Sequence, residues 1–239
     1  MSRQHDVILR LSRRVGWHQA LHDPAVDPRN GLRWLPELRR WQARRLQRSF
    51  ARFLDDPRRR AAAQFFLSDV YGDHDFARRD ADIVRVIPMM QKLLPARLLD
   101  TIASAIELGA LSQALDLRMA EALQRLAPRG RRLGQDLYGR AYREVGLPRL
   151  RAHQIALIEE VGTGFGRALK QRGVAALLAF SRGPARLAGL SELQGFLDRG
   201  YAAFEQLGDV EGFVAEIGEE EHRAMQRLFA GHPAPFEPD

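Results

Sequence analysis

Apolar residues recur every three or four positions along most of the chain, the spacing at which they line one face of an α-helix. No segment combines alternating apolar and polar residues with an Asn-Gly or Asp-Gly turn, so nothing indicates a β-hairpin. The pattern predicts about nine helices and a short helical turn at Val174–Ser181. The predicted helices are Arg3–Leu21, Leu32–Leu54, Pro57–Tyr71, Phe76–Leu93, Pro95–Ala127, Leu133–Val145, Pro148–Arg172, Ser191–Leu207 and Val210–Phe229. We therefore predict an all-α fold.

Prolines and glycines fall where these helices should begin and end. Pro57, Pro95 and Pro148 open predicted helices, where the missing N–H costs no hydrogen bond. Asp209 precedes the last helix as an N-cap. Glycines that can adopt a left-handed cap follow four of the helices, at Gly72, Gly146, Gly173 and Gly208.

The segment Pro95–Ala127 is apolar around most of its circumference, which is typical of a helix buried on all sides. We predict an irregular single-domain bundle, residues 1–239, of about nine helices around this central helix. A chain of 239 residues is long enough to bury such a core. Residues 1–31 should form a helix and loop that could attach loosely, and residues 232–239 an extended tail.

Five ionisable groups lie on the apolar faces of the predicted helices: Asp69, Arg79, Asp80, Asp116 and Glu221. An unpaired buried charge costs several kcal/mol, so such groups pair, hold an ion or change protonation state. One interpretation is a network of Asp and Arg hydrogen bonds that fixes how the helices meet. The other is a polar site that binds a divalent cation or a small ligand between the helices.

The chain breaks between two predicted helices at Tyr71–Asp75, and we expect the inward groups to converge near this elbow. The candidate members of the network are Asp69, Tyr71, Asp75, Arg79, Asp80, Asp116 and Glu221. An alternative hypothesis is a metal-dependent enzyme that uses these carboxylates as ligands, with His74 or His153 as acid–base group. The leading interpretation assigns no catalytic residue, no metal ligand and no cofactor.

Charge is unevenly distributed along the chain, whose net charge is +7. Residues 1–60 hold 15 arginines against 6 acids, whereas residues 205–239 hold nine acids against two arginines. This polarity could attract nucleic acid to one end, or pair the two ends of one or two molecules.

Four arginines, Arg33, Arg40, Arg44 and Arg48, form a stripe on the second helix. The stripe is most simply a solvated face or an interface with the acidic C-terminal helix. Weak nucleic-acid binding along it is a further alternative. No helix-turn-helix, zinc-finger or RNA-binding motif accompanies the stripe, so we expect no nucleic-acid partner.

The sequence Gly162-x-Gly164-x-Gly166 lacks the preceding strand that a phosphate-binding turn requires. Gly162 and Gly166 lie one helical turn apart, and we expect them to allow another helix to approach closely.

The chain has no cysteine, so it contains no disulfide and no thiolate metal site. We expect a protein of the reducing cytoplasm. The longest uninterrupted apolar run, Val174–Phe180, is far shorter than a membrane span, and we expect neither a secretory signal nor a membrane partner.

The residues Phe65-Phe66-Leu67-x-Asp69-Val70-Tyr71-Gly72 carry a motif that resembles Phe-Phe-Leu-x-Asp-Leu-Tyr-Gly, a hallmark of an uncharacterised group of proteobacterial proteins. The similarity continues through Asp75-Phe76-x-x-Arg79-Asp80, Arg182–Leu190 and Arg227–Gly231, and it spans most of residues 32–236. The resemblance implies an all-helical bacterial protein and no particular activity.

These observations favour a non-enzymatic protein that binds a ligand or a protein. The inward Asp/Arg/Glu network would organise its binding surface near the elbow. We expect a protein partner or a second copy of the chain.

Overall fold

The computed structural model describes residues 3–70, 96–130, 132–171, 173–187 and 191–237. Within these residues the chain forms ten α-helices and no strand, so the predicted all-α fold is confirmed. The helices are α1 Arg3–His22, α2 Trp34–Ser49, α3 Ala51–Asp55, α4 Arg60–Phe65, α5 Ala96–Leu126, α6 Gln135–Val145, α7 Pro148–Leu169, α8 Val174–Leu187, α9 Ser191–Glu205 and α10 Val210–Ala230. A 3-10 helix, Pro28–Gly31, precedes α2, and a π-helical turn, Phe66–Val70, continues α4.

Several predicted elements differ in extent from the observed ones. The helical turn predicted at Val174–Ser181 is the longer helix α8, Val174–Leu187. The helix predicted over 32–54 is divided into α2 and α3 at Phe50, whose ring packs edge-on against Phe53 at 5.5 Å between centroids. The helix predicted from Pro57 begins at Arg60, because Asp56 accepts a hydrogen bond from the backbone N–H of Arg58 at 2.9 Å and closes a turn there. The helix predicted over 76–93 lies outside the described residues.

Residues that were predicted to lie at helix ends are found there. Gly146, Gly173 and Gly208 all adopt a positive φ, a conformation that favours glycine at these helix ends. Asp209 accepts a hydrogen bond from the N–H of Gly212 at 2.9 Å and caps α10. Gly72 is not among the described residues.

Helix α5 is central to the fold because α1, α2, α6 and α7 all pack against it. It is also the one helix, within the part of the chain described, that is long and apolar enough to cross a membrane, over Arg97–Leu126. The core helix of a globular protein meets the same criteria of length and composition. The four helices around α5 account for its apolar circumference.

Two large hydrophobic clusters make up much of the core of the described residues. One joins α2–α4 to α9 and α10 through aromatic rings, with Phe53 against Phe213 at 5.1 Å between centroids. The other joins α2, α5, α6 and α10 around Trp34, Trp41 and Tyr138.

Helices α7 and α10 pack at close range where α7 carries two glycines. A Cβ added at Gly162 would lie 2.5 Å from Val214 Cγ2, and one at Gly166 would lie 2.8 Å from Val210 Cγ1. The prediction that these glycines admit another helix is confirmed.

The C-terminal residues turn back onto the bundle. Residues 231–237 form turns and bends where an extended tail is predicted, and Gln135 Nε2 donates to the carbonyl of Pro233 at 2.5 Å. The ring of Phe236 packs against Trp41, 5.8 Å away between centroids.

Candidate functional site

The structure describes the side chains of two of the seven predicted network residues, Asp116 and Glu221. Asp69 belongs to the π-helical turn, and its side chain is outside the description. Tyr71, Asp75, Arg79 and Asp80 lie outside the described residues, as does His74. Their membership of the network therefore stays a prediction.

Asp116 lies on α5 and is partly buried. Gln42 of α2 donates its Nε2–H to Asp116 Oδ1 at 3.0 Å. Burial raises the pKa of Asp116, and the Gln42 hydrogen bond and the charges of Arg39 and Arg151 oppose this rise. The carboxyl group is therefore held by a neutral amide, with cations near it.

Glu221 of α10 pairs with Arg45 of α2. Arg45 Nη2 donates to Glu221 Oε2 at 2.9 Å, and Arg45 Nη1 donates to Glu221 Oε1. The two side chains are 11% and 18% exposed, so this is a largely buried, bidentate pair. The Arg45 guanidinium also lies 4.9 Å from the centre of the Phe236 ring.

Arg151, in the first turn of α7, is a third cation in this region and is only 5% exposed. Its guanidinium carbon lies 4.5 Å from the centre of the Tyr142 ring. Its Nε and Nη2 are buried and have no hydrogen-bond acceptor in the part of the chain that the structure describes. Arg151 thus presents two donor nitrogens without acceptors in the interior.

Two tyrosines of α6 join these groups. Tyr138 stacks on Trp41 at 4.1 Å between centroids, and the Gln42 amide acts on its hydroxyl. Burial raises the pKa of both Tyr138 and Tyr142, so both hydroxyls are neutral at physiological pH. The charges of Arg45 and Arg151 act on both rings. We call Gln42, Arg45, Asp116, Tyr138, Tyr142, Arg151 and Glu221 the polar cluster.

The polar cluster leaves one cation, Arg151, incompletely paired. Glu221 is engaged by Arg45, and Asp116 Oδ1 is engaged by Gln42, whereas two donors of Arg151 have no acceptor. The arrangement therefore suits an incoming group that carries oxygen acceptors and a negative charge. Within the described residues no three His, Asp or Glu side chains are grouped as a metal site would require.

Sequence reasoning missed Arg45 and Arg151, although a helical-wheel signal for each was present. Arg45 follows Trp34, Leu38 and Trp41 at spacings that keep all four on one face of α2. Arg151 likewise precedes Ile155, Ile158 and Gly162 on the buried face of α7.

His153 is the acid–base candidate of the enzyme hypothesis. It does not share the buried face of α7 with Arg151, and its side chain is half-exposed. Its Nε2 is 2.9 Å from Glu107 Oε1, and Glu107 also pairs with Arg14 of α1. The geometry places His153 beside a carboxylate that is already engaged by an arginine.

The arginine stripe is largely solvated. Arg33, Arg40, Arg44 and Arg48 are all exposed, and two of them, Arg40 and Arg44, pair with Glu37 on the same helix.

Other arginines connect the basic N-terminal part to the acidic C-terminal helix. Arg52 pairs with Glu220 at 2.6 Å, and Arg59 pairs with Glu216 at 2.8 Å. Together with Arg45 and Glu221, these pairs join the two ends of one molecule, one of the outcomes that the charge distribution suggested.

Residues 21–235 match a family model described as a domain of unknown function (DUF8198). No curated protein is significantly similar to the chain. The same holds for the solved structures.

Proposed function

The chain belongs to the DUF8198 family of domains of unknown function, and we propose that it is a non-enzymatic binding protein that holds a small carboxylate against Arg151. The observation that carries the proposal is an arginine that is 5% exposed and has two donor nitrogens without acceptors. The candidate network of Asp69, Tyr71, Asp75, Arg79 and Asp80 would belong to the same binding region.

A buried donor without an acceptor costs about 1–3 kcal/mol, and more when the donor is charged. Folded proteins therefore pair almost all such groups with protein, water or ligand. A cation that is buried and incompletely paired destabilises the free protein, and an anion that pairs with it recovers that cost on binding.

The two open donors have the geometry of a carboxylate receptor. Nε–H and one Nη2–H point in parallel from one edge of the guanidinium and match the two oxygens of a carboxylate. Two other arginines of this chain use that edge in this way. Arg29 donates from Nε and Nη2 to Asp27 at 2.9 and 2.6 Å, and Arg182 donates to Asp198 at 3.0 and 3.2 Å.

The surroundings favour a small, partly apolar acid. The Tyr142 ring covers the flat face of the Arg151 guanidinium, and Trp41 and Tyr138 add aromatic surface nearby. Because burial raises the pKa of Asp116, its carboxyl group should repel a ligand carboxylate less than an ordinary aspartate would.

Thermal unfolding with acetate, propionate, benzoate and succinate, at constant ionic strength, tests the proposal. We expect at least one acid to stabilise the wild-type protein saturably, by about 2.7 kcal/mol at a concentration of about 100 times its Kd. Arg151→Gln should abolish this stabilisation. Arg149→Gln, which changes an exposed arginine in the same turn of α7, should retain it.

Equal responses from the two variants, or no response of the wild-type protein to any of the acids, would contradict the proposal. A second readout does not depend on either variant. Titration of the wild-type protein should shift the Nε–Hε NMR signal of Arg151 and leave that of Arg149 unchanged.

A further inference from the structure

Helix α1 lies in a groove of its own on α5. Its apolar residues are four positions apart and form a small hydrophobic cluster with one side of α5. The cluster consists of Val7, Leu11 and Val15 of α1 with Leu99, Ala103 and Ile106 of α5. These α1 residues belong to none of the other hydrophobic clusters that the described residues form. Val7, Leu11 and Leu99 are fully buried in it.

Ion pairs line the margin of this groove. Arg10 Nη2 lies 3.1 Å from Asp100 Oδ1, and Arg14 pairs with Glu107 about two turns further along α5. The helix that fits the groove therefore has apolar residues at positions i, i+4 and i+8 and basic residues at i+3 and i+7. This is the pattern by which an amphipathic helix binds a complementary groove on another protein.

The C-terminal end of α1 is fastened independently of the groove. The carbonyl of Leu21 accepts hydrogen bonds from Asn30 Nδ2 at 3.0 Å and from Gln113 Nε2 at 3.4 Å. The residues that match the family model begin at position 21, so nearly all of α1 precedes them. A release of residues 3–20 from the groove would leave the fastening at Leu21 in place.

We propose that the α5 groove is a binding site for a basic amphipathic helix of a partner protein, and that α1 is a releasable arm that fills it in the free chain. Asp100 and Glu107 select the basic residues of the partner helix, and Leu99, Ala103 and Ile106 receive its apolar residues. The partner helix takes the place of residues 3–20.

A tethered arm weakens the apparent affinity of the groove for any competing helix, because the groove is open only in the fraction of molecules whose arm is released. A substitution that weakens α1 without altering α5 raises that fraction. It should therefore tighten the binding of a competing helix, which is the opposite of what damage to the groove would do.

The test measures binding of a fluorescent synthetic peptide with the sequence of residues 1–22 to the full chain by anisotropy. We expect Leu11→Ala in the protein to bind this peptide at least about tenfold more tightly than the wild-type protein. Leu9→Ala is the matched control, because Leu9 is on the same helix and is 42% exposed. It should bind the peptide as the wild-type protein does.

A peptide carrying Leu11→Asp should not bind. Added salt should weaken the binding of the unmodified peptide, because salt screens the ion pairs at the margin of the groove. Failure of the Leu11→Ala protein to bind the peptide would overturn the proposal. So would loss of the cooperative unfolding transition in that variant, since α1 would then be an integral part of the core. In the wild-type protein, amide hydrogen exchange should be faster in α1 than in α5. Exchange of the α1 amides only through global unfolding would also overturn the proposal.

Discussion

Arg151 and Tyr142 face each other in the interior, with the guanidinium carbon 4.5 Å from the centre of the phenol ring. The ring covers one flat face of the cation, and the edge that carries Nε and Nη2 has no acceptor within the described residues. An arginine that served only to hold helices together would be expected to use that edge, as Arg29 and Arg182 do. The arrangement thus separates Arg151 from the structural ion pairs of this chain.

Replacement of Arg151 by Met should leave the ligand-free protein about as stable as the wild type, or more stable. A buried cation without full pairing is costly, and apolar replacements of buried charged groups are often neutral or stabilising by about 1–4 kcal/mol. Urea unfolding without added carboxylate measures the free energy of unfolding of the two proteins. A loss of about 3–5 kcal/mol would mean that Arg151 neutralises a buried charge and is structural.

Asp116→Asn should be more stable than the wild type at pH 7. The folded-state pKa of Asp116 is raised, mainly by burial, so its neutral form favours the folded state. This contribution is fully present below the unfolded pKa of about 4 and is lost as the pH rises through the folded pKa. The advantage of Asn should therefore disappear as the pH falls below about 4, as measured by chemical unfolding across a pH series. A variant less stable than the wild type at pH 7 would show instead that the anionic form is held by Arg151.

Glu221→Ala should destabilise the fold by about 3–5 kcal/mol, because it leaves the buried Arg45 without the carboxylate that engages both of its Nη atoms. Glu219→Ala, on the exposed side of α10, should change stability by less than about 0.5 kcal/mol. Chemical unfolding measures the destabilisation in each variant. Equal destabilisation would mean that the Arg45–Glu221 pair makes no specific contribution to stability.

Gly162→Ala should cost about 1–3 kcal/mol, because the new methyl group would overlap Val214 and push α7 away from α10. Gly16→Ala is a control in which a Cβ would meet nothing within 4 Å. That substitution should stabilise helix α1 by about 0.5–1 kcal/mol through helix propensity. Thermal unfolding of both variants measures these changes in stability. If Gly162→Ala left the stability unchanged, the two helices could separate without cost.

The elements with local signals could be predicted from the sequence. The central helix, predicted over 95–127, is observed over Ala96–Leu126, because its length and continuous apolar character leave few alternatives. The cap at Gly146 and the close approach at Gly162 also follow from residues within one or two turns.

Partners distant in sequence could not be predicted in the same way. The wheel of α10 placed Glu221 on a buried face, but its partner Arg45 is 176 positions away and depends on how α2 and α10 pack. Similarly, the contact between Asp116 and Gln42 requires the packing of α5 against α2. Only tertiary packing determines which buried charges meet. A search of every helix for inward arginines, as well as acids, would have identified Arg45 and Arg151 as candidates.

A crystal structure of the protein grown with the tightest-binding carboxylate would show directly whether Arg151 binds that ligand. We expect a planar carboxylate with its two oxygens about 2.7–2.9 Å from Nε and Nη2 of Arg151. An edge occupied only by ordered water, or by the Asp116 carboxylate itself, would contradict it.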